Sequence, residues 1–427
     1  PLIQALGVPR ALLATPILIR LARAMRLVDV PDARKVHATP TPRVGGVAIA
    51  GAFFAVVLGI FLLDTFPHTL WQKHVELMQA LLLGALGFLL VGLLDDLWTL
   101  KAQLKLLLLV MIATGVCWAG LRIETLNLGA LGTITLGWWS WPVTILWILT
   151  LTIAINFVDG LDGLAAGVGA ITASTVAIMT MWENQGVLVI PALALAGCLT
   201  SFLVFNFHPA RIFMGDSGSM FIGFLLSSLC IASTRMSGSS QSLVVTVLAL
   251  SVPILDTSYT FFRRRVLERR SMFASERGHI HHHLLKMGFK QHHAVLIIYG
   301  ISVVTACSGL MFLFQEKPGY MLVVAVALAL PPVLLFKFTG FVNFETILGA
   351  IRRNLLIGRE ENNYRGAFEQ MQLRFALVDT FDGWWKETCT AAEMMDVVRI
   401  SLPLPAVPRY TPPPPLEEAD AVMLLPE

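Results

Sequence analysis

The sequence predicts an all-α, polytopic integral membrane protein of about ten to eleven transmembrane helices, with its chemistry gathered at the cytoplasmic face. Three observations predict it. First, 56% of the 427 residues are hydrophobic and only 14% are charged, against about 25% charged in soluble domains. Second, the mean hydropathy is +0.72, and it comes from repeated apolar runs of about 18 to 22 residues, the length that crosses a ~30 Å hydrocarbon core. Lipid offers no hydrogen-bond partners, so such runs must be helices. Third, the acids and bases that interrupt the runs are not spread evenly. They fall in alternate connections.

In chain order the spans are expected at approximately 2–22, 45–63, 77–94, 104–120, 142–158, 164–181, 187–205, 218–235, 241–261, 294–314 and 320–337. The first is broken by Pro9, Arg10 and Pro16. The chain begins with Pro1 rather than Met, which reads as a trimmed or incomplete N-terminus. Connections from odd to even spans carry Arg23, Arg26, Arg34, Lys35, Arg43, Lys101, Arg211 and the run from Arg263 to Lys290. Their opposites carry only Lys73, Arg122, Arg235 and Lys317. The positive-inside rule puts the first set in the cytoplasm. Segment 121–141, with Gly-punctuated alternation and interfacial tryptophans, is expected to form a small hairpin on the opposite surface. Residues 1–337 form the expected transmembrane domain and 338–427 a cytoplasmic extension. That extension should be helical over 344–358 and 364–398, with Pro-rich, extended chain beyond. The five cysteines show no metal spacing and are expected to be buried and structural. A net charge of +3 is too small to suggest nucleic acid as a partner.

The same cytoplasmic set holds three aspartate loops and a histidine cluster. Asp95-Asp96 ends an apolar run. Two adjacent carboxylates repel unless a cation or proton lies between them, and acids at a membrane edge are functional candidates. Lys105, nine residues on, is placed to neutralise a phosphate. In Asn156-Phe157-Val158-Asp159-Gly160-Leu161-Asp162-Gly163, the first and fourth residues share a helix face. The glycines permit a sharp turn and close approach of a ligand to the backbone. Gly215-Asp216-Ser217-Gly218 superficially suggests a serine protease, but no base-and-orienter pair for Ser217 is legible. Asp216 suits Mg²⁺, which takes one or two carboxylates with waters and substrate phosphates. His279-Ile280-His281-His282-His283 cannot converge on one zinc ion at this spacing. Phosphate binding fits it better, since His and nearby Arg donate hydrogen bonds to anions. Asp256 lies apart and is expected either to line the cavity or to pair with an arginine.

Taken together, LLDD (93–96) with Lys105, NFVDGLDGLAAG (156–167), FNFHPARIFMGDSGS (205–219) and HIHHHLLKMG (279–288) resemble the polyprenyl-phosphate N-acetylhexosamine-1-phosphate transferases (glycosyltransferase family 4). The resemblance runs from about residue 10 to 337. RKVH (34–37), the basic loop before the histidines and their spelling look like the WecA-like, undecaprenyl-phosphate GlcNAc-1-phosphate transferase branch, which is related to MraY. Ile153 and Leu109 stand where that family often has Asn and Gln.

The resemblance implies a transfer of HexNAc-1-phosphate, GlcNAc-1-phosphate in the preferred reading, from a UDP-sugar to polyprenyl (undecaprenyl) phosphate, with release of UMP. It implies Asp95, Asp96 and Asp159 as catalytic acids, with Asp95 the candidate base, and Asp216 as the ligand of Mg²⁺, with Mn²⁺ as a substitute. It also implies that Lys105, Asn156, Asp162, Asn206, Phe213, His281, His282 and His283 bind substrate, Phe213 by stacking on uracil. The expected setting is the bacterial inner membrane, and a homodimer is compatible with it. The alternatives are an MraY-like phospho-MurNAc-pentapeptide transferase and, from a different class, an ion-coupled transporter. A transporter would place its polar groups near the bilayer midplane, whereas here they gather at one face.

Overall fold

The computed structural model describes residues 15–22, 28–29, 41–62, 73–127, 132–268, 278–313, 330–339, 344–394, 399–402 and 421–424. They divide into two compact units, one ending at Asn343 and the other beginning at Phe344. In the first unit a two-residue strand β1 (Val28–Asp29) pairs antiparallel with β2 (Thr41–Pro42). Helices α1 (Gly45–Leu62), α2 (Val75–Trp98) and α3 (Ala102–Trp118) follow. The expected hairpin is present: β3 (Thr125–Asn127) pairs with β4 (Thr133–Thr135), and a 3₁₀ turn at Gly137–Trp139 leads on. Next come α4 (Ser140–Val158), α5 (Leu164–Trp182), α6 (Gly186–Asn206), α7 (Gly215–Ser237), α8 (Gln241–Ala249) and α9 (Ser251–Phe262). The short α10 (Ile280–Lys286) and the long α11 (Gln291–Leu313) close the series, with a further helical segment at 330–338.

Among the described residues, six helices are long and apolar enough to cross a membrane, and the α8–α9 pair makes a seventh. Helices α1 and α3 are apolar but shorter. The expected spans 2–22 and 320–337 lie mostly outside the described residues. One expectation needs correcting. The run 241–261 is not a single straight span, because its two helices meet at a 76° bend. Pro253 explains the position: it has no N–H to donate to the preceding turn, and its ring crowds the carbonyl four residues back. The cysteines also need one correction. Cys117, Cys198, Cys230 and Cys389 are buried, but Cys307 is exposed.

Helix α7 sits at the centre. Its apolar window has the lowest mean hydropathy of the six, 1.5, and is entirely buried. The two facts are linked. A helix with no face on lipid has no need of an apolar outer stripe, so it can carry Ser217, Ser219, Ser227, Ser228, Ser233 and Thr234, all buried. Small residues let its neighbours approach closely, as membrane helices require in the absence of a hydrophobic force between them. A Cβ on Gly223 would lie 2.5 Å from Thr152 Cα, and one on Gly92 would lie 2.4 Å from the Asp216 carbonyl and 2.5 Å from Ser217 Cα. Gly46 touches Gly218 in the same way. Gly92→Ala should therefore push the start of α7 away from α2. The expected cost is about 1–3 kcal/mol, read as a lower melting temperature of the purified protein.

At the far end of the bundle from residues 95 and 216, a buried polar knot ties α5 to α7 and α8. Glu183 Oε2 accepts from Gln185 Nε2 (2.7 Å) and from Ser233 Oγ (2.9 Å), and Ser233 meets Ser242 at 2.9 Å. Burial pushes the Glu183 carboxyl above the ordinary carboxylate range, against the pull of these hydrogen bonds. Its folded pKa then exceeds its unfolded one, so the folded state holds the proton longer. Stability falls as pH rises out of the ordinary carboxylate range through the raised value. Glu183→Gln should flatten that part of the melting-temperature profile; an unchanged slope would refute this.

In the second unit, the sequence pattern called for separate helices over 344–358 and 364–398. A single helix α12 (Phe344–Ala376) instead runs through both regions, and α13 (Phe381–Met394) follows. Strands β5 (Arg399–Leu402) and β6 (Ala421–Leu424) pair antiparallel. The Pro-rich residues 403–420 lie outside the described residues.

Candidate active site

The acids meet where α2 ends and α7 begins. Three backbone hydrogen bonds bring a third strand of chain to this point: Phe213 N–H to Pro42 O (2.8 Å), Gly45 N–H to Phe213 O (2.9 Å) and Gly46 N–H to Met214 O (2.8 Å). They set Arg43 beside the α7 N-terminus. Gly215 has φ +74°, a left-handed conformation that costs glycine little. A Cβ there would also lie 2.6 Å from Asp96 Oδ2.

Asp95 and Asp96 are adjacent but do different things. The Asp96 side chain is 2% exposed. Its oxygens accept the N–H groups of Asp216 and Ser217, both at 2.9 Å, and Arg43 Nε lies 3.2 Å away. A carboxylate from another helix thus satisfies two of the orphan N–H groups that open α7 and complements the positive end of its dipole. Asp96, which the resemblance gives as a catalytic acid, braces the start of α7 with both carboxylate oxygens. Asp95 Oδ1 accepts the Leu100 N–H (2.7 Å), and Oδ2 pairs with Lys105 Nζ (2.9 Å). Lys105 Nζ also contacts Asp216 Oδ2 very closely. Asp216 Oδ1 meets Arg43 Nη2 and Asn156 Nδ2, each at 3.2 Å. Asn156 Nδ2 donates as well to Ser219 Oγ (2.9 Å). Lys105, Asn156, Asp95 and Asp216, separated by up to 121 residues of sequence, form one cluster of alternating charge.

Asp159 caps the end of α4 at the same site. Its carboxylate has no hydrogen-bond partner among the described residues. Burial is the main cause of its strongly raised pKa, and the charges of Asp216, Asp96 and Asp162 add to it against Arg43. Asp162 faces the next loop, with His208 Nδ1 at 2.8 Å and the Ala210 N–H at 3.2 Å. Asn206, expected to bind substrate, is turned inward. It accepts the Gly163 N–H (3.1 Å) and donates to Ile212 O (2.8 Å). Tyr299 OH donates to Gly163 O (2.5 Å) from the other side, so the left-handed turn at Gly163 is pinned twice. Asn206 is buried with its amide oxygen and its amide nitrogen each hydrogen-bonded to backbone, which makes it a brace of the loop. Phe213 is half-buried on the strand facing Pro42.

The three consecutive histidines do not share one set of surroundings. Successive residues of a helix point about 100° apart, so α10 sends them in different directions. His281 is 1% exposed, and neither ring nitrogen has a partner. Its Nε2 lies 2.7 Å from where a Gly160 Cβ would be. Burial, then His282 and His279, hold its pKa well below the usual value, so it is neutral near pH 7. His282 is half-buried with its ring centroid 4.4 Å from that of His281. His283 meets the Thr339 backbone, away from Gly160. Asp256, expected to line the cavity or to pair with an arginine, has no arginine partner among the described residues. It holds His279 Nδ1 (2.9 Å) and the Ile280 N–H (2.8 Å), fixing the start of α10.

No three His, Cys, Asp or Glu residues converge as a metal-chelating group among the described residues. The carboxylate donors present suit a hard cation. Asp95 and Asp216 share a single ammonium, and Asp159 is an unpartnered carboxylate in the same field.

A bundle that has helices long and apolar enough to cross a membrane, and that collects cations and carboxylates at one end, has the arrangement that phosphoryl transfer at a membrane face would need. Residues 78–234 match the profile of glycosyl transferase family 4. The chain is 36% identical over 301 residues to the "Probable undecaprenyl-phosphate N-acetylglucosaminyl 1-phosphate transferase" of Bacillus subtilis (strain 168), covering 70% of this chain and 81% of that protein. It is 37% identical over 334 residues to the "Decaprenyl-phosphate N-acetylglucosaminephosphotransferase" of Mycobacterium leprae, with the same coverage of 70% and 81%. Similarity extends to the "Phospho-N-acetylmuramoyl-pentapeptide-transferase" of a Synechococcus strain, 33% identical over 276 residues, covering 61% of this chain and 76% of that protein. The chain belongs to glycosyl transferase family 4.

Proposed function

We propose that this protein transfers GlcNAc-1-phosphate from UDP-GlcNAc to a polyprenyl phosphate, releasing UMP, at the cytoplasmic face of a bacterial inner membrane and with Mg²⁺. The observation that carries the proposal is the Asp95–Lys105–Asp216–Arg43 cluster, with unpartnered Asp159 and His281 beside it, at one membrane edge. Two anionic substrates must meet there, and neutralising their charge is the central problem. The names of the relatives at 36–37% identity support GlcNAc over the muramoyl-pentapeptide alternative. The arginine and lysine bias supports the cytoplasmic side.

In this reading a phosphate oxygen of the lipid attacks the sugar-bearing phosphorus of the UDP-sugar. The P–O bond to UMP breaks, and UMP leaves with that oxygen. A phosphate monoester has its second pKa near about 6, so the attacking group is already largely dianionic. Asp95 is then not needed as a base. Its two oxygens hold the Leu100 N–H and Lys105, and its role is to aim the ammonium at the reacting phosphates. Arg43, which lies among the acids, joins Lys105 in drawing the substrates in. Neutral His281 offers one N–H to a phosphate oxygen. Asp216, with Asp95 and Asp159 near it, would hold Mg²⁺, which supplies charge neutralisation on the diphosphate.

The test is a membrane preparation supplied with polyprenyl phosphate, Mg²⁺ and a panel of UDP-sugars. Lipid-linked GlcNAc diphosphate and UMP in equal amounts are expected, and chelation should stop both. Product from UDP-MurNAc-pentapeptide alone, or from no UDP-HexNAc in a folded preparation, would overturn the assignment.

A further inference from the structure

One unassigned cavity lies at the other end of the bundle. A crevice of about 630 Å³ opens between the start of α2, the end of α3 and the end of α7. That volume is in the range of sites for small organic ligands. Its walls are apolar, with Leu83 and Ile112 among them, and its mouth carries Glu76, Gln79 and Arg235. Leu83 is 67% exposed and Trp118 84% exposed, so the crevice opens sideways toward lipid. Trp118, Trp138, Trp139 and Trp182 are all exposed near helix ends at this end of the bundle. Such a belt marks headgroup depth.

The charges at the mouth are incompletely used. Arg235 donates one guanidinium N–H to Gly120 O. Glu76 has no partner among the described residues. Glu76 is exposed and so can be reached by a cationic group from the membrane surface. Gly115 lines the crevice, and a Cβ there would meet nothing within 4 Å. The space is real and not filled by neighbouring side chains.

We propose that this crevice binds one bilayer phospholipid whose headgroup joins a phosphate to a primary ammonium. The phosphate sits on Arg235, the ammonium on Glu76 and Gln79, and an acyl chain runs along Leu83 and Ile112. One acid and one base at one mouth match a zwitterion better than a purely anionic lipid. A quaternary ammonium could not donate the hydrogen bonds that Glu76 and Gln79 accept.

The test is native mass spectrometry of the full chain in detergent, titrated separately with phosphatidylethanolamine, phosphatidylcholine and phosphatidylglycerol. Wild type should retain one phosphatidylethanolamine in preference to the other two. Glu76→Gln should reduce that preference about tenfold, the scale of one charge-assisted hydrogen bond, and Gly115→Leu should abolish retention of all three. Glu76 is exposed, so its variant remains decisive even where Gly115→Leu fails to fold. Equal retention of the three lipids by wild type, or an unchanged preference in Glu76→Gln, would overturn the proposal.

Discussion

Asp216→Asn should lower the rate of UMP release by about 10²–10³-fold, the scale on which a preorganised charge acts in a transition state. The substitution keeps the shape and leaves the Asp216 N–H to Asp96 intact, so the start of α7 stays in place. What is lost is the charge that Arg43, Lys105 and a divalent cation share. Excess Mg²⁺ should not restore the rate, because the ligand itself is altered. A melting temperature within a few degrees of wild type would separate lost chemistry from lost fold. A variant that keeps most of its activity would remove Asp216 from the site's chemistry and leave the cation without its principal ligand.

The second large effect is on stability. Asp96→Ala leaves the Asp216 and Ser217 N–H groups without acceptors and takes a partner from Arg43. An orphaned buried donor costs about 1–3 kcal/mol. Arg43 is half exposed and adds little. The total expected is roughly 2–4 kcal/mol, with activity falling alongside because Asp216 is no longer aimed. Asp96→Asn retains one acceptor oxygen and should lose about half as much. Asp95→Asn is the contrast: activity should drop while the melting temperature holds. Parallel unfolding and turnover measurements on the three variants test this division. Equal stability losses for Asp95→Asn and Asp96→Ala would contradict it.

The sequence made the apolar runs and the hairpin at 125–135 legible because both depend on local periodicity and turn chemistry. It also showed that the acids gather at one face, since that requires only counting spans. It did not reveal which neighbour each acid would meet. Arg43 lies 52 residues before Asp95, and only the backbone pairing of Pro42, Gly45 and Gly46 with Phe213 and Met214 brings it to Asp216. The single available clue was Gly45-Gly46, a pair that lets two backbones touch. Asn206 reads as ligand-facing because it sits in a motif with polar neighbours, yet helix phase turns it inward to Gly163 and Ile212. Three consecutive histidines read as a group, but on a helix His281 and His282 stay in contact while His283 turns to the Thr339 backbone. The bend at Leu250 is hard to see in sequence because Ser251 is the one polar residue between Val247 and Leu255, and the apolar run passes through Pro253.

Lipid bilayers vary in thickness, and a helix that touches lipid must tilt or shift to follow them. The helix that carries Asp216 touches none along its apolar window. The reacting groups are therefore referenced to the protein's own interior. Helices α2 and α3, which carry Asp95 and Lys105, do reach lipid, but the Lys105 ion pairs and the Asp96 hydrogen bonds fasten their ends to the start of α7, so a change of bilayer thickness is absorbed elsewhere on the outer helices. The enzyme's turnover should consequently vary little across lipids of different chain length, even where its melting temperature does.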